Sequence, residues 1–178
     1  MPIKNMYSFE PGECLAAEWI AEHLGTGCRL YFPIKDKGVD LLVERKGRTI
    51  TVQVKESRYY EEGTAKGYTG FAFHQMYKHQ LESAKGQVDF FVFLTYLPVE
   101  SETGKMRFTH RYLVVPTSEL AKRAVLKNTG SSKKYRFYFH YGDNEIIDIR
   151  DTSGVPRKWK DYTKFDDAWT LMKRALSR

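Results

Sequence analysis

The chain has 178 residues, so we expect a single domain over residues 1–178. Hydrophobic residues make up 42% of it and charged residues 29%, which supplies a core and excludes disordered, collagen-like and low-complexity chains. The longest apolar run, residues 90–98, is far shorter than the roughly 20 residues that span a bilayer. The N-terminus has no continuous apolar signal region, so we expect a cytoplasmic location. Cys14 and Cys28 match no zinc spacing and are expected to be reduced core thiols.

The net charge of +7 is concentrated in the last third of the chain. Residues 1–120 carry 15 basic and 15 acidic side chains, whereas residues 121–178 carry 14 and 7. Two clusters there alternate cations with an aromatic ring, a pattern suited to phosphate contact and base stacking. The alternative is a solvated basic face. The candidate nucleic-acid contacts in these clusters are Lys133, Lys134, Arg136, Arg157, Lys158 and Lys160.

The first elements are a helix and three strands. Apolar residues at helical spacing predict a helix over residues 9–24, with Ser8 as its cap and Gly25 as its end. Strands are predicted at residues 28–33, 39–45 and 48–55. The last two are joined at Lys46-Gly47, a pair typical of a tight hairpin turn.

The middle of the chain is predicted as a loop, a helix and a buried strand. Residues 57–70 lack periodicity and are expected to form an exposed loop. A stripe over residues 73–84 predicts a second helix, and residues 88–97 predict a strand covered on both faces. Polar residues of that helix are expected to line a substrate groove or to form an exposed helix face, and Lys78 is a candidate nucleic-acid contact. These residues are His74, Gln75, Lys78 and His79.

The remaining elements predict a strand at residues 110–115 and then a helix capped by Thr117 or Ser118. A loop at residues 127–134 leads to a hairpin of residues 135–141 and 145–149. A helix over residues 164–176 closes the chain. The order is helix, three strands, helix, strand, strand, helix, hairpin, helix, which predicts a mixed α/β fold.

Polar residues on the predicted hairpin carry the chemistry. If the hairpin is symmetric about Lys46-Gly47, Asp40 faces Gln53 directly, and Lys55 lies on the same face two residues along. A carboxylate and an amide oxygen about 5 Å apart suit a hard cation such as Mg²⁺, with an ammonium beside it. Such an ion stabilises charge on a phosphodiester under attack, and Lys55 would orient water or stabilise the growing negative charge.

The segments Gly38-Val39-Asp40 and Gln53-Val54-Lys55 resemble the motifs of the PD-(D/E)XK nuclease superfamily. Within it they are most similar to archaeal Holliday-junction resolvases and to the QXK group that includes intron-encoded endonucleases. The resemblance implies a restriction-endonuclease-like core (helix, three-stranded meander, helix, strand) over residues 9–97. Residues 98–178 would form a C-terminal α+β extension with a basic surface. Val39 replaces the nominal proline, and Gln53 replaces the usual second acid.

The resemblance also implies a glutamate from the first helix, for which Glu13 and Glu18 compete. Glu13 is preferred because it shares the stripe of Ala17, Ile20 and Leu24, and because Gly12-Glu13 resembles a pair found in several such nucleases. The implied metal ligands are Asp40, Gln53 and Glu13, with Lys55 as the catalytic lysine.

The activity implied is a Mg²⁺- or Mn²⁺-dependent DNA endonuclease, with a homodimer as a further expectation. A nucleic-acid-binding module that keeps the fold without cleaving is the alternative, because Gln53 is neutral. DNA or RNA, the sequence or structure cut, and a role in restriction, recombination, repair or mobile elements all stay open at this stage.

Overall fold

A computed structural model of the protein describes residues 10–34, 38–65, 68–100 and 104–177. Over these ranges the chain forms a mixed α/β fold with an eight-stranded, mostly antiparallel sheet. The strands are β1 (Cys28–Tyr31), β2 (Leu41–Arg45), β3 (Arg48–Ala65), β4 (Tyr68–Tyr77), β5 (Phe90–Glu100), β6 (Met106–Pro116), β7 (Lys134–Tyr141) and β8 (Ile146–Asp148). The helices are α1 (Pro11–Leu24), α2 (Lys78–Ala84), α3 (Thr117–Ala124), α4 (Arg157–Lys160) and α5 (Trp169–Ala175), with a 3-10 turn at Thr163–Phe165. In the described ranges, no helix has the length and apolar character needed to cross a membrane.

Helix α1 confirms the first predicted helix. It begins with Pro11, which suits the first helical position because the N–H that proline lacks would have no partner in the helix. It ends at Gly25, whose φ of 72° is open to glycine and whose N–H donates to Ala21 O at 3.0 Å. Glu10 occupies the cap position, and the predicted cap Ser8 lies outside the described residues.

The hairpin of β2 and β3 confirms the predicted turn and register. Arg45 pairs with Arg48, and Leu41 pairs with Val52. Lys46 and Gly47 have φ values of 53° and 75°, the positive values that a twisted two-residue hairpin turn requires. β1 pairs with the other edge of β2, so β1, β2 and β3 form an antiparallel meander.

The loop predicted at residues 57–70 is wrong, because β3 continues to Ala65 and β4 begins at Tyr68. β3 first pairs in parallel with β5, from Val52 to Arg58, and then antiparallel with β4 from Tyr59 onward. The segment holds adjacent Tyr and Glu residues, Tyr59-Tyr60-Glu61-Glu62, and few aliphatic ones, since part of this ribbon faces solvent on one side. The sequence therefore lacked the apolar signal of a buried strand.

The predicted second helix is also mostly wrong. Residues 73–77 belong to β4, which pairs with β7 from Ala72↔Phe139 to Tyr77↔Lys134. Only α2 is helical, and its buried residues are Leu81 and Ala84. Positions 73, 76, 77, 81 and 84 fit a helical stripe by coincidence, because the residues that β4 buries follow a period of two: Ala72, His74 and Met76.

The second half of the chain follows the prediction with shifted boundaries. β5 is buried on both faces as expected, and β6 pairs along its whole length. α3 has no side-chain cap, so the expected cap at Thr117 or Ser118 is wrong; the Thr117 N–H instead donates to Asp89 O at 2.9 Å. The hairpin of β7 and β8 is confirmed. The closing helix is only α5, preceded by α4 and the 3-10 turn.

Two hydrophobic cores lie on opposite faces of β3 and β5. The first core contains Phe91 and Phe93 together with β4, β7, α2 and α3 residues. The second core contains Val52 and Val54 together with α1 and α5 residues. Both cysteines are free; Cys14 is exposed, so its expected place in the core is wrong, whereas Cys28 is half-buried against the second core.

Candidate active site

Asp40 lies at the start of the β2–β3 hairpin and is fixed by two hydrogen bonds to β3. Its N–H donates to Val52 O at 2.9 Å, just beyond Leu41↔Val52, the last pair of the hairpin register. Its Oδ2 accepts from the Val54 N–H at 2.8 Å. The carboxylate therefore lies across the β3 segment that contains Gln53, and a hydrogen bond from a neutral backbone group orients it.

Gln53 is the second oxygen-bearing side chain of the predicted set. Its side chain is buried with Asp40, at 7% and 8% exposure respectively. The Gly38 backbone passes beside its amide, since a Cβ at Gly38 would lie 3.7 Å from Gln53 Nε2. Gly38 has a φ of 78°, a conformation that favours glycine. The segment from Gly38 to Asp40 thus runs alongside the Gln53 side chain.

Lys55 lies two residues beyond Gln53 on β3 and is half-buried. In the parallel pairing with β5, Gln53 is opposite Phe91 and Lys55 is opposite Phe93. Phe91 and Phe93 belong to the first core, whereas Val54 belongs to the second. The expectation that Gln53 and Lys55 share one face of the strand is therefore confirmed.

Glu13 and Glu18 lie on different sides of α1. Glu13 is buried and Glu18 is exposed, so Glu13 is on the stripe that faces the sheet, as expected. α1 packs on the second-core side of β3, the layer opposite Gln53 and Lys55. The structure therefore has Asp40, Gln53 and Lys55 on one hairpin and places Glu13 in the helix layer on the opposite side of β3, away from Gln53 and Lys55.

Glu56 is an acidic neighbour that the sequence reading missed. A Cβ at Gly12 would lie 3.0 Å from Glu56 Cβ and closer still to its carboxylate, so the first turn of α1 packs tightly on this side chain. Glu56 Oε2 also accepts from Tyr96 OH at 2.9 Å. Burial and the hydrogen bond to Glu56 raise the pKa of Tyr96. The signal was available, since Glu56 directly follows Lys55 and must point to the α1 side.

His74 is buried in the first core and does not lie on a helix as predicted. Its Nε2 is 3.3 Å from Thr95 Oγ1, which in turn is 2.8 Å from Tyr141 OH. Its ring meets Phe93, the β5 partner of Lys55, with centroids 5.1 Å apart. Burial, with the positive charge of Lys55, lowers the pKa of His74 to about 3. The imidazole is therefore neutral near pH 7.

The other residues assigned to the second helix also take different places. Gln75 is exposed on β4, and His79 is exposed on α2. Lys78 begins α2, and its N–H donates to Lys133 O at 2.9 Å. They do not form one helical groove face, because β4 ends at Tyr77 before α2 begins.

Four predicted nucleic-acid contacts come together where β4 meets β7. Lys134 pairs with Tyr77 and Arg136 pairs with Gln75 in the strand register. Lys133 and Lys78 are joined through their backbones at the same end of the ribbon. Tertiary structure therefore gathers Lys78 with three cations that lie more than fifty residues away in the chain, namely Lys133, Lys134 and Arg136.

The other basic cluster lies on α4. Arg157 forms an ion pair with Glu145, and Lys158 Nζ lies 5.8 Å from the centre of the Trp159 ring. Arg157 and Lys160 line a hollow of about 200 Å³ beside β8. This cluster is therefore partly neutralised, since one of its three cations is paired with an acid.

Among the described residues, the candidate metal ligands on the hairpin combine a carboxylate with an amide oxygen. Within the ranges that the structure covers, no group of three or more His, Cys, Asp and Glu side chains is placed to hold a metal ion. The oxygen donors on the hairpin are the Asp40 carboxylate and the Gln53 amide. An amide oxygen is an accepted ligand for hard cations but carries no formal charge.

Comparisons with known proteins give a structural likeness. No protein-family model and no curated protein matches the chain. A solved structure of a bacterial homing endonuclease, I-Ssp6803I, aligns with a TM-score of 0.47 and 18% identity, over 92% of this chain and 90% of that chain.

Proposed function

We propose that the chain is a metal-dependent nuclease that hydrolyses phosphodiester bonds in nucleic acid, most simply a DNA endonuclease of the PD-(D/E)XK type. The observation that carries the proposal is that the Asp40 carboxylate is held by the N–H of Val54, the residue between Gln53 and Lys55. Two nearly buried polar side chains and an ammonium on one short hairpin are costly for packing alone. A role in metal-dependent hydrolysis accounts for their grouping.

The donor set fits a hard divalent cation such as Mg²⁺ or Mn²⁺. Asp40 and Gln53 offer oxygens from the hairpin, whereas Glu13 belongs to α1 on the opposite side of β3 and is not part of the proposed donor set. When bound, the ion would supply Lewis-acid stabilisation of charge on the phosphate. A single carboxylate on the hairpin supplies less negative charge than the usual two, so water and phosphate oxygens would complete the coordination of the ion.

Lys55 is proposed as the residue that acts on the reacting phosphate. Its ammonium would orient the attacking water or stabilise the negative charge that develops on the phosphate oxygens. His74 lies behind it in the first core and is neutral, so it would neither repel the ammonium nor exchange protons near pH 7. The role proposed for His74 is to support the wall of the site.

Binding of nucleic acid is supported by the cations at the β4–β7 junction. Lys78, Lys133, Lys134 and Arg136 would contact phosphates, and such contacts position a strand without reading its sequence. Arg157, Lys158 and Lys160 on α4 are proposed as a second contact region. The excess of positive charge after residue 120 agrees with both.

A binding module without cleavage is the second candidate, and Gln53 is the observation that favours it. A neutral ligand in place of an acid weakens the hold on a cation, which would remove activity while leaving the basic surfaces intact. The two candidates differ in one measurable property, the formation of product when a divalent metal is present.

The deciding experiment incubates the full chain with supercoiled, linear, branched and single-stranded DNA, with Mg²⁺, with Mn²⁺ or with EDTA. We expect product only with a metal, and none from Lys55→Met. Lys85→Met is the matched control, because Lys85 is an exposed lysine paired with Glu82 on α2. Metal-independent product, or full activity of Lys55→Met, contradicts the proposed mechanism. Binding without any product favours the second candidate.

A further inference from the structure

The outer face of the ribbon formed by β3, β4 and β7 carries a group of aromatic rings. Residues that alternate with the buried ones on these strands must point to this side. Tyr60 pairs with Phe71, and Phe73 pairs with Tyr138. We call the rings of Tyr60, Phe71, Phe73, Tyr77 and Tyr138 the aromatic face.

Four rings of the aromatic face form a continuous series, and Tyr77 lies further along β4. Phe71 and Tyr138 are stacked, with centroids 4.4 Å apart and planes 10° apart. Phe73 meets Tyr138 edge-on at 5.2 Å, and Tyr60 lies 6.3 Å from Phe71. Phe71 and Tyr77 are six residues apart on β4, so the face extends about 20 Å along the strand.

The aromatic face is accessible and belongs to neither core. Among the described residues, none of its five rings is part of the first or the second core. Tyr60 is 37% exposed and Tyr77 is 41% exposed, while the three rings between them are half-buried against one another. Aromatic rings left on an open sheet face indicate a binding surface.

Cations border the rings of this face. Arg58 lies 5.1 Å from the Tyr60 ring centre, Arg150 lies 5.2 Å from that of Tyr138, and Lys134 Nζ lies 4.6 Å from that of Tyr77. Arg136 pairs with Gln75 in the same row. An acid is also present, Asp151, whose Oδ1 is 3.2 Å from Arg150 Nε. The surface is therefore aromatic and net positive.

Arg150 is held in place by buried groups. Lys127 Nζ donates to Arg150 O at 2.6 Å, and the Arg150 N–H donates to Asp148 Oδ1 at 3.2 Å. Lys127 and Asp148 themselves form a buried ion pair. The cation over Tyr138 thus rests on a rigid support, which favours a preorganised binding surface.

We propose that the aromatic face binds unpaired bases of a nucleic-acid strand. Tyr60 and Tyr77 would stack on bases at the two ends of the face, and Arg58, Lys134 and Arg136 would contact the phosphates. Exposed rings bordered by cations are the features of a single-strand surface, since every base offers a flat face to stack on. A duplex keeps its bases inside and cannot use the rings in this way.

The inference rests on the proposed function only because both take nucleic acid as the ligand. It is tested by binding, without cleavage. In EDTA, fluorescence anisotropy measures the affinity of the full chain for a labelled oligothymidylate, for an abasic strand of equal length and for a duplex. We expect the oligothymidylate to bind most tightly. Equal affinity for the oligothymidylate and the abasic strand overturns the inference, as does failure to bind any strand.

Variants assign the binding to the aromatic face. Tyr60→Leu with Tyr77→Leu keeps apolar bulk and removes the rings, and should weaken oligothymidylate binding at least about tenfold while leaving the abasic strand unchanged. Phe108→Leu is the control, because Phe108 is 62% exposed on β6. An unchanged affinity of the double variant overturns the inference. So does a change in its oligomeric state, which would assign the face to a second copy of the chain.

If the two leucine substitutions lower the unfolding midpoint in urea, a second double variant tests the same face. Arg58→Gln with Lys134→Gln should weaken binding of base-containing and abasic strands alike, since both carry phosphates. No effect on either strand overturns the inference. If the chain binds through this face but never cleaves, the inference stands and only the nuclease proposal is contradicted. If the chain cleaves but its binding does not depend on the face, the nuclease proposal stands and the inference is contradicted.

Discussion

Asp40 Oδ2 accepts a 2.8 Å hydrogen bond from the Val54 N–H, so a side chain at the start of β2 is tied to the backbone of β3. The donor residue, Val54, lies between the proposed ligand Gln53 and the proposed catalytic residue Lys55. It fixes the carboxylate relative to Gln53 and Lys55 without using a charged partner. Substitutions at Asp40 can therefore remove the negative charge alone, or the charge together with this hydrogen bond.

Asp40→Asn should abolish metal-dependent cleavage and leave the fold intact, because the asparagine oxygen still accepts from Val54 while the negative charge is lost. Asp40→Ala should also be inactive, and it should lose about 1–3 kcal/mol of unfolding free energy by leaving the Val54 N–H buried without a partner. Urea denaturation and a plasmid cleavage assay measure the two effects. Full cleavage by Asp40→Asn would remove Asp40 from the site.

Gln53→Glu should lower the metal concentration needed for half-maximal cleavage, because a second carboxylate neutralises a divalent cation better than an amide does. Gln53→Ala should raise that concentration and reduce activity. Metal titrations of cleavage for the wild type and both variants provide the comparison. The same half-maximal concentration in all three proteins would mean that Gln53 only hydrogen-bonds its neighbours.

The buried pair of Lys127 and Asp148 should be important for stability. Burial raises the pKa of Asp148, whereas Lys127 acts to lower it, so removing Lys127 leaves a carboxylate in an apolar site. Lys127→Met should cost about 3–5 kcal/mol of unfolding free energy. Lys122→Met, which breaks an exposed pair with Glu119, should cost less than about 1 kcal/mol. Similar losses for both variants in urea denaturation would contradict the interpretation.

His74 should make the folded state less stable in mild acid. Its pKa is lowered from 6.5 to about 3, so between these values the unfolded chain binds a proton that the folded chain does not. The free energy of unfolding should therefore fall as the pH falls through this window, by up to about 1.4 kcal/mol per pH unit. His74→Gln should flatten the dependence in urea denaturation at several pH values.

The control for this pH series is His79→Gln, which removes an exposed imidazole from α2. If His74→Gln has the same slope of unfolding free energy against pH as the wild type, the histidine is accessible to protons in the folded state. That outcome would also weaken its assignment as a neutral wall of the proposed site.

The cations at the β4–β7 junction should determine the salt dependence of binding. Lys133→Ala with Arg136→Ala should reduce the slope of log K against log salt by up to about two units on duplex DNA, one for each lost phosphate contact. Lys173→Ala with Arg174→Ala removes the same charge from exposed positions on α5. Equal slopes for the two double variants would show that net charge alone matters.

The hairpin was accessible to prediction because its determinants are local. Lys46-Gly47 permits a two-residue turn, and the period of two then decides which residues face each other. The register from Arg45↔Arg48 to Leu41↔Val52 followed from that symmetry. The same local reasoning placed Glu13 on the buried side of α1 and Glu18 on the exposed side.

Residues 57–77 were decided by tertiary structure. Their rings and charges gave no clear apolar alternation, and the helical spacing of residues 73–84 was equally compatible with a short helix after a strand. These residues form strands because β5 and β7 supply backbone partners for β3 and β4, and those partners lie about forty to seventy residues away. A local pattern contains no information about such partners.

The sequence by itself determined the α1 helix, the β2–β3 hairpin and the grouping of Asp40, Gln53 and Lys55, since each depends on contacts within a few residues of one turn. Only the tertiary structure decided that His74 is buried beside Phe93, that Lys78 joins the cations of β7, and that five aromatic rings share one open face. The physical reason is that strand pairing is non-local: hydrogen bonds between distant segments choose the strand neighbours, and the neighbours decide which side chains meet.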